Sequence, residues 1–447
     1  MLISHSSSLL PLLLLLPLAT SLNNGQGLSP QMGYASWNDC ASEVTESRIR
    51  NATLNMISTG LYLKGYNHVN VDEGWLKGRD DLTGDLYENP KKFPSGMKAL
   101  GDFIHSKGLK YGLYTSRGTC QCSTELYDAI GSQGFEEKDA AWLTEKGMDY
   151  LKEDSCCGGS NNPTDGFTDY GVMRDALNAT GRPVFFSLCG WYSWYAPEGD
   201  NLGNSWRISG DGTNWGDLNS AININSGLSK YARPGAWNDP DLLVGTGIGS
   251  NSGPDACYDP TEISQTSEWY MTDLQSRAQF SMWCVMSSPL LISANLAQVS
   301  QFALETWGNE EAIYINQNFR KYGDEVDDEQ KIYQGIRVSG EDLAYDKPTN
   351  SGSGNNVWAK PLPDRKWGMV FLNNENEVSD VVCDADCFAQ LWDLDTSGGV
   401  KYQVRDLWTH EDEGDLLVAA ADGGFAYTAK SLDPLGGVKM VIISPVN

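Results

Sequence analysis

Tyr150-Leu151-Lys152-Glu153-Asp154-Ser155-Cys156-Cys157 is a short extended run that ends in a cation, two carboxylates and two thiols. A strand buried on both faces of a parallel sheet should end apolar, because an unpaired buried charge is expensive. Charges at such a tip therefore point to a site. Lys152 and Asp154 are two residues apart and project from the same side of a strand, so the ammonium is expected to keep the carboxylate ionised at the strand's mouth. A carboxylate held in this way suits a nucleophile. The plain alternative is an ordinary ion pair at a strand end.

Outward from this stretch, from Leu28 to Asn318, short apolar runs alternate with amphipathic segments. That alternation is the pattern of strand and helix units around a parallel sheet. Runs ending at Trp37, Asp72, Thr115, Asp154, Leu188, Ser209, Trp237 and Ile292 number eight, which predicts a (β/α)8 barrel over residues 22–325. Ser47 to Ser58 and Met97 to Ser106 have helical apolar spacing and are expected to cover the barrel. Carboxylates, indoles and phenols gather at the strand ends, where active sites of this architecture lie. After Asn318 the texture changes to alternating runs: Lys331–Val338, Asn356–Lys360, Lys366–Leu372, Lys401–Trp408, Asp415–Ala420, Gly424–Ala429 and Val438–Ser444. They predict an antiparallel β-sandwich over 326–447, with Asn350 to Asn356 as a surface loop and a supporting role for the domain.

The first 21 residues read as a signal peptide: an apolar run from Leu9 to Leu18, then Ala19-Thr20-Ser21 as a small-residue cleavage site. No later run reaches bilayer length, so a soluble protein of the secretory pathway, extracellular or lysosomal/vacuolar, is expected. A net charge of −27 argues against nucleic acid and anionic membranes as partners. With four His, and no nucleotide loop, zinc-binding His pair or Ser/His/Asp arrangement, carboxylate chemistry without a metal or other cofactor is the expectation. Fifteen Trp and twenty Tyr fit sugar binding as well as core packing.

Ten Cys behind a signal peptide read as disulfides before metals. Cys120, Cys122, Cys156 and Cys157 suit either a four-thiolate zinc site or two disulfides, and the compartment favours the disulfides. Cys383 and Cys387 are close enough to bridge a local loop. Cys40, Cys189, Cys257 and Cys284 stay unassigned. Asn51-Ala52-Thr53 and Asn178-Ala179-Thr180 are glycosylation sequons expected at the surface.

Glycoside hydrolysis with retention needs a nucleophilic carboxylate and a proton-donating carboxyl about 5 to 5.5 Å apart across the sugar. Asp154 ends the fourth run, and Asp211 follows the sixth in Trp206-Arg207-Ile208-Ser209-Gly210-Asp211. Asp211, near the charge of Asp154 and indole surfaces, is expected to have its proton affinity raised and to serve as the acid.

Met32-Gly33-Tyr34-Ala35-Ser36-Trp37-Asn38, Val71-Asp72-Glu73-Gly74-Trp75, Gly112-Leu113-Tyr114, Leu151 to Cys156, Trp206-Arg207 with Asp211, Trp237-Asn238-Asp239-Pro240-Asp241 and Ser288-Pro289-Leu290-Leu291 occur in order. Together they resemble the successive signatures of glycoside hydrolase family 27, the α-galactosidases and α-N-acetylgalactosaminidases. The resemblance implies Asp154 as nucleophile and Asp211 as acid/base. It implies Lys152 and Arg207 as ligands of sugar hydroxyls, Trp37 and Tyr114 as aromatic walls, Asp72 with Glu73 as readers of O4 and O6, and Asp241 as a rim residue. It also implies a Cys120–Cys156 disulfide bracing the nucleophile loop, and a Cys383–Cys387 disulfide.

Four departures from the family pattern stand out. Glu73 replaces an Asp and is one methylene longer, worth about 1 to 3 kcal/mol of discrimination and pointing to β-L-arabinopyranosides, which lack C6. Cys189-Gly190-Trp191-Tyr192-Ser193-Trp194 replaces a Glu and a larger apolar residue beside the 2-hydroxyl, so that Gly190 and Ser193 leave room for an acetamido group or Trp194 fills it. Gly74 replaces a Cys, leaving Cys40 without its expected partner. Glu153 stands where an aromatic or apolar residue is usual, and strand alternation turns it away from the sugar. The expected function is a retaining exo-α-galactosidase acting on terminal galactosides of oligosaccharides or glycoconjugates. Arabinopyranosidase, α-N-acetylgalactosaminidase and a catalytically silent sugar-binding protein are the alternatives.

Overall fold

The computed structural model describes residues 22, 24–123, 131–160, 162–245, 270–322, 326–327, 331–392, 394–395, 397, 399–414, 417–418 and 425–446. The expected signal peptide and Cys257 lie outside them.

Eight parallel strands form the barrel wall: β1 (Met32–Ala35), β2 (His68–Asn70), β3 (Lys110–Ser116), β4 (Tyr150–Asp154), β5 (Phe185–Cys189), β6 (Ser205–Arg207), β7 (Trp237–Asp239) and β8 (Leu290–Ile292). β8 pairs with β1, and β2 to β7 each pair with the strand before them. The ring closes through Leu243, which follows β7 and bridges Ile292: Leu243 N–H donates to Leu291 (2.8 Å) and Ser293 N–H to Leu243 (2.9 Å). The strand ends fall within two residues of the expected positions.

Between the strands lie α1 (Glu46–Ser58), α2 (Met97–Ser106), α3 (Glu136–Glu145), α4 (Pro163–Ala179), α5 (Trp215–Asn225) and α6 (Asp273–Val285), and beyond β8 lie α7 (Gln301–Trp307) and α8 (Glu310–Gln317). Side-chain oxygens start several of them by accepting from first-turn N–H groups that have no partner within the helix. Thr45 does so for α1, Asn162 with Pro163 behind it for α4, Asn214 for α5 and a Thr272/Gln275 capping box for α6.

The C-terminal sheet contains β9 (Ile336–Gly340), β10 (Asn355–Pro361), β11 (Trp367–Asn373), β12 (Lys401–Asp406) and β13 (Gly437–Pro445), antiparallel in the order β9-β10-β11-β13-β12. The pair Ser379–Cys383 and Tyr427–Leu432 packs over it, around a core that includes Trp367, Met369, Phe371, Phe388 and Tyr427. The loop expected at Asn350 to Asn356 is instead partly strand: Ser351–Ser353 pairs with Ala344–Asp346, and β10 starts at Asn355. Glycine-rich composition hid a hairpin that gains its stability from packing. Of the expected run Asp415–Ala420, Leu417–Val418 is strand and the rest lies outside the described residues.

Gly74 has φ +113°, and a Cβ there would meet the Ser42 carbonyl oxygen at 2.2 Å, so no cysteine fits this turn. Cys40, left unassigned by the sequence, is disulfide-bonded, and its partner is not residue 74. The sequon residues Asn51 and Asn178 are both exposed, and Cys189 and Cys284 are buried free thiols.

Candidate active site

Alternation along β4 turns Tyr150, Lys152 and Asp154 inward and Glu153 outward, as the spacing required. Tyr150 and Lys152 face a narrow space within the barrel mouth, walled also by Asp72, Cys189, Arg207, Asp239 and Asp241. Asn70, Tyr150 and Ser187, each two residues earlier on its strand, form the floor.

Asp154 is buried. Its Oδ1 accepts from the Ser155 N–H (2.8 Å) and its Oδ2 from the Tyr114 hydroxyl (3.2 Å). Burial pushes its pKa up, Lys152 and the Ser155 N–H pull it down, and the charges of Asp211 and Asp72 push it up again; the net direction is upward. This corrects the expectation that Lys152 simply holds Asp154 ionised. The Lys152 ammonium is spent on Asp72 (2.8 Å), at the next strand end but one, and reaches Asp154 only through its field.

Asp211 differs from expectation in the opposite sense. Its side chain is 60% exposed, and it accepts from Arg207 Nη2 at 3.2 Å. Desolvation within the mouth raises its pKa, but the Arg207 guanidinium and the Lys152 ammonium outweigh it and hold the carboxyl below its ordinary value. The guanidinium four residues before Asp211 reverses the rise expected from the charge of Asp154. Arg207 also pairs with Asp241 (2.8 Å), whose other oxygen accepts from the Gly212 N–H (2.7 Å). Asp241 therefore holds both Arg207 and the segment carrying Asp211. It does so at φ +98°, a strained backbone for a non-glycine residue, and burial raises its pKa to about 7.

Glu73 is buried between the Ser123 N–H (2.7 Å) and the Tyr114 hydroxyl (3.3 Å). Burial raises its pKa to about 7, with the charges of Asp72 and Asp154 adding to the rise. Tyr114 thus bridges Glu73 and Asp154, with the Lys152 ammonium 5.2 Å from its ring centre. Trp37 opens a one-turn helix at the exit of β1 and is half-buried.

The segment after β5 departs from expectation. A Cβ on Gly190 would lie 1.9 Å from Tyr195 Cε2, so the Tyr195 ring fills the room foreseen beside Gly190. Trp194 stacks on Tyr195 (3.9 Å between centroids) and meets Phe167 of α4 (5.6 Å), so it packs against the helix layer. Ser193 is exposed, and Trp191 is half-buried at φ +64°. Of this segment, Cys189 alone lines the mouth space.

The disulfide implied between Cys120 and Cys156 is replaced by a nested pair, Cys120–Cys157 and Cys122–Cys156. Arg117 N–H donates to Asp154 and Thr119 N–H to Cys157 (3.1 Å), which carries the two strands' pairing onward and seats Cys120 beside Cys157. The chain then turns back and brings Cys122 to Cys156. Both thiol pairs being oxidised, no thiolate set remains for zinc. Cys383–Cys387 forms as expected.

The sequence family described as alpha galactosidase A matches residues 29–252 and 246–318, and the alpha galactosidase C-terminal beta sandwich domain matches 352–434. The chain belongs to the α-galactosidase family. It is 35% identical to the α-galactosidase of Cyamopsis tetragonoloba over 394 residues, covering 87% of this chain and 82% of that protein. It is 33% identical to a probable α-galactosidase of Dictyostelium discoideum over 440 residues, covering 98% of each. The crystal structure of α-galactosidase I from Mortierella vinacea superposes with a TM-score of 0.76 at 26% identity, covering 94% of this chain and 98% of that one.

Several residues that order this α-galactosidase-family site were not singled out from the sequence. Ser36 Oγ accepts the Asp72 N–H (2.9 Å), Ser123 holds Glu73, Asp239 accepts the Asp241 N–H (2.9 Å), and Tyr195 closes the Gly190 side. Ser36 lies within Met32–Asn38 and Ser123 directly after Cys122. Backbone N–H contacts leave no mark on side-chain pattern.

Proposed function

We propose that this chain is a retaining exo-α-galactosidase in which Asp154 is the nucleophile and Asp211 the acid/base. The carrying observation is that Asp154 and Asp211 lie in each other's field, ringed by the Lys152–Asp72 and Arg207–Asp241 pairs. Those pairs present fixed charges to sugar hydroxyls, and Tyr114 and Ser155 aim the Asp154 oxygens. Asp154 attacks the anomeric carbon as the bond to the leaving oxygen breaks, and Asp211 gives that oxygen its proton. The product is a galactosyl ester of Asp154. Asp211 then takes a proton from water, the resulting hydroxide attacks the anomeric carbon, and galactose and free Asp154 are released.

In the free protein Asp211 is held low by Arg207, so it charges with a proton most readily at acid pH. A bound sugar shuts water away from its exposed side chain and raises its proton affinity. Esterification of Asp154 removes the neighbouring negative charge, which lowers that affinity again for the second step. Asp154→Asn is expected to lower kcat by about four decades, near 5.4 kcal/mol. Normal turnover by that variant removes the mechanism.

Glu73 supports a second reading, hydrolysis of β-L-arabinopyranosides, because it places one more methylene than Asp beside the O4 and O6 side of the ring. Nitrophenyl α-galactoside, α-N-acetylgalactosaminide and β-L-arabinopyranoside, compared on the native protein and on Glu73→Asp, separate the readings. An arabinoside preference that reverses in the variant supports the second; an unchanged ratio removes it. The disulfides favour an oxidising compartment, extracellular or lysosomal/vacuolar. Among the described residues no helix is long and apolar enough to cross a membrane.

A further inference from the structure

Glu153 precedes Asp154 by one peptide bond and projects from the other side of β4, into the layer between the barrel wall and helices α3 and α4. It is 0% exposed, and neither carboxyl oxygen has a hydrogen-bond partner. Its neighbours across the sheet are Thr115, whose hydroxyl is bonded to Ser132 (2.6 Å), and Leu188. The charged groups facing it are Glu136 and Asp139 from α3, Asp169 from α4 and Arg117 from the segment leaving β3. The cations here are already matched, Arg117 to Asp169 and Arg79 to Asp139. Tyr170 of α4 spends its hydroxyl on Ser155 Oγ (2.9 Å) and the Glu153 carbonyl (3.2 Å). On β4 itself, Lys152 and Asp154 point the other way. An ionised carboxylate in this place would face three other carboxylates with no donor of its own.

We propose that Glu153 is a neutral carboxylic acid in the working enzyme and a positioning residue for Asp154, so that its ionisation on raising the pH disturbs the tip of β4 and slows turnover. The proposal rests on Asp154 as nucleophile. Burial, reinforced by Glu136, moves the Glu153 pKa well above its ordinary value, in accord with this. The sign follows: a group whose pKa is raised by folding favours the folded state at acid pH, and that contribution is lost as pH climbs through the raised pKa. The route to the nucleophile is short. A charged Glu153 finds its nearest relief in Arg117, whose Nε donates to Ser155 Oγ (3.1 Å), and the Ser155 N–H is the donor that aims Asp154 Oδ1 (2.8 Å). Drawing Arg117 toward Glu153 pulls on the peptide that orients the attacking oxygen.

The test is Glu153→Gln, which keeps the shape and removes the ionisation, with Glu153→Leu as a second variant without polar atoms. At the acid end of the pH–activity profile, kcat on a nitrophenyl α-galactoside is expected within about twofold of wild type, while on the alkaline limb the variant exceeds wild type by about threefold or more. The Tm difference between variant and wild type is expected near zero at the acid end and positive at the alkaline end. Glu73 and Asp241 titrate alike in both proteins and cancel. A Glu153→Gln protein less stable than wild type near pH 7 would mean an ionised Glu153 paired with Arg117, and overturns the proposal. A stability difference with an unmoved alkaline limb of kcat overturns the positioning role. Full activity of Asp154→Asn would sink the nucleophile assignment, whereas the Tm difference across pH would still report the state of Glu153.

Discussion

Replacing Glu73 by Gln puts a number on what the site costs the fold. Glu73 is 1% exposed, and its pKa is raised from 4.5 to about 7. At about 1.36 kcal/mol per pH unit, that difference makes the folded state about 3 kcal/mol less favourable once Glu73 is ionised than when it is neutral. Because folding raises this pKa, the favourable contribution is complete below about pH 4.5 and is lost as pH rises through about 7. Gln retains an oxygen for the Ser123 N–H and an amide that can donate to the Tyr114 hydroxyl, so it removes chiefly the charge. Urea unfolding at a series of fixed pH values is the assay. The variant is expected to match wild type near pH 4.5 and to be more stable by about 3 kcal/mol near pH 8. A difference that is constant across that range, or that favours wild type at the alkaline end, would falsify the reasoning.

Asp211→Asn is expected to lose at least about tenfold more activity on substrates with poor leaving groups than on activated aryl galactosides, measured as kcat/KM; equal losses on both would contradict its role as acid. Gly190→Ala drives a methyl into Tyr195, which is held by Trp194 and Tyr170, and should cost about 1 to 3 kcal/mol in a thermal or urea melt. The disulfides Cys120–Cys157 and Cys122–Cys156 close loops of sequence separation 37 and 34, one inside the other. Removing one leaves the long loop closed by the other, so the loss of about 4 kcal/mol should appear only when both are replaced, and an additive pair of melts would refute this.

How much of this was legible depends on the kind of interaction. Strand ends such as Asp72, Asp154 and Asp241 announce themselves because a charge at the end of an apolar run is costly without a purpose, and the outward turn of Glu153 follows from period two alone. Charge partners were harder to read. Lys152 pairs with Asp72, eighty residues away in the chain, rather than with Asp154. Arg207, four residues before Asp211, reverses the proton affinity expected of it. The nested cysteine pairing depends on how the chain runs between Cys120 and Cys122, which no spacing encodes. Gly190 read as space because a missing side chain is visible in a sequence, whereas Tyr195 moving in from five residues later is not.

Lys360, on β10, is wholly buried and donates to the Ile315 and Asn316 carbonyls at the end of α8, and Trp215 of α5 donates to Asn374 beyond β11 (2.8 Å). Trp358, Val370, Leu372 and Met440 belong to the same apolar cluster as Met282, Trp283 and Ile315. The C-terminal unit is therefore no detachable module that could be exchanged or trimmed by recombination. A chain stopped after α8 would carry an uncovered oily flank and two stranded helix-end carbonyls, and it should be recovered as aggregate.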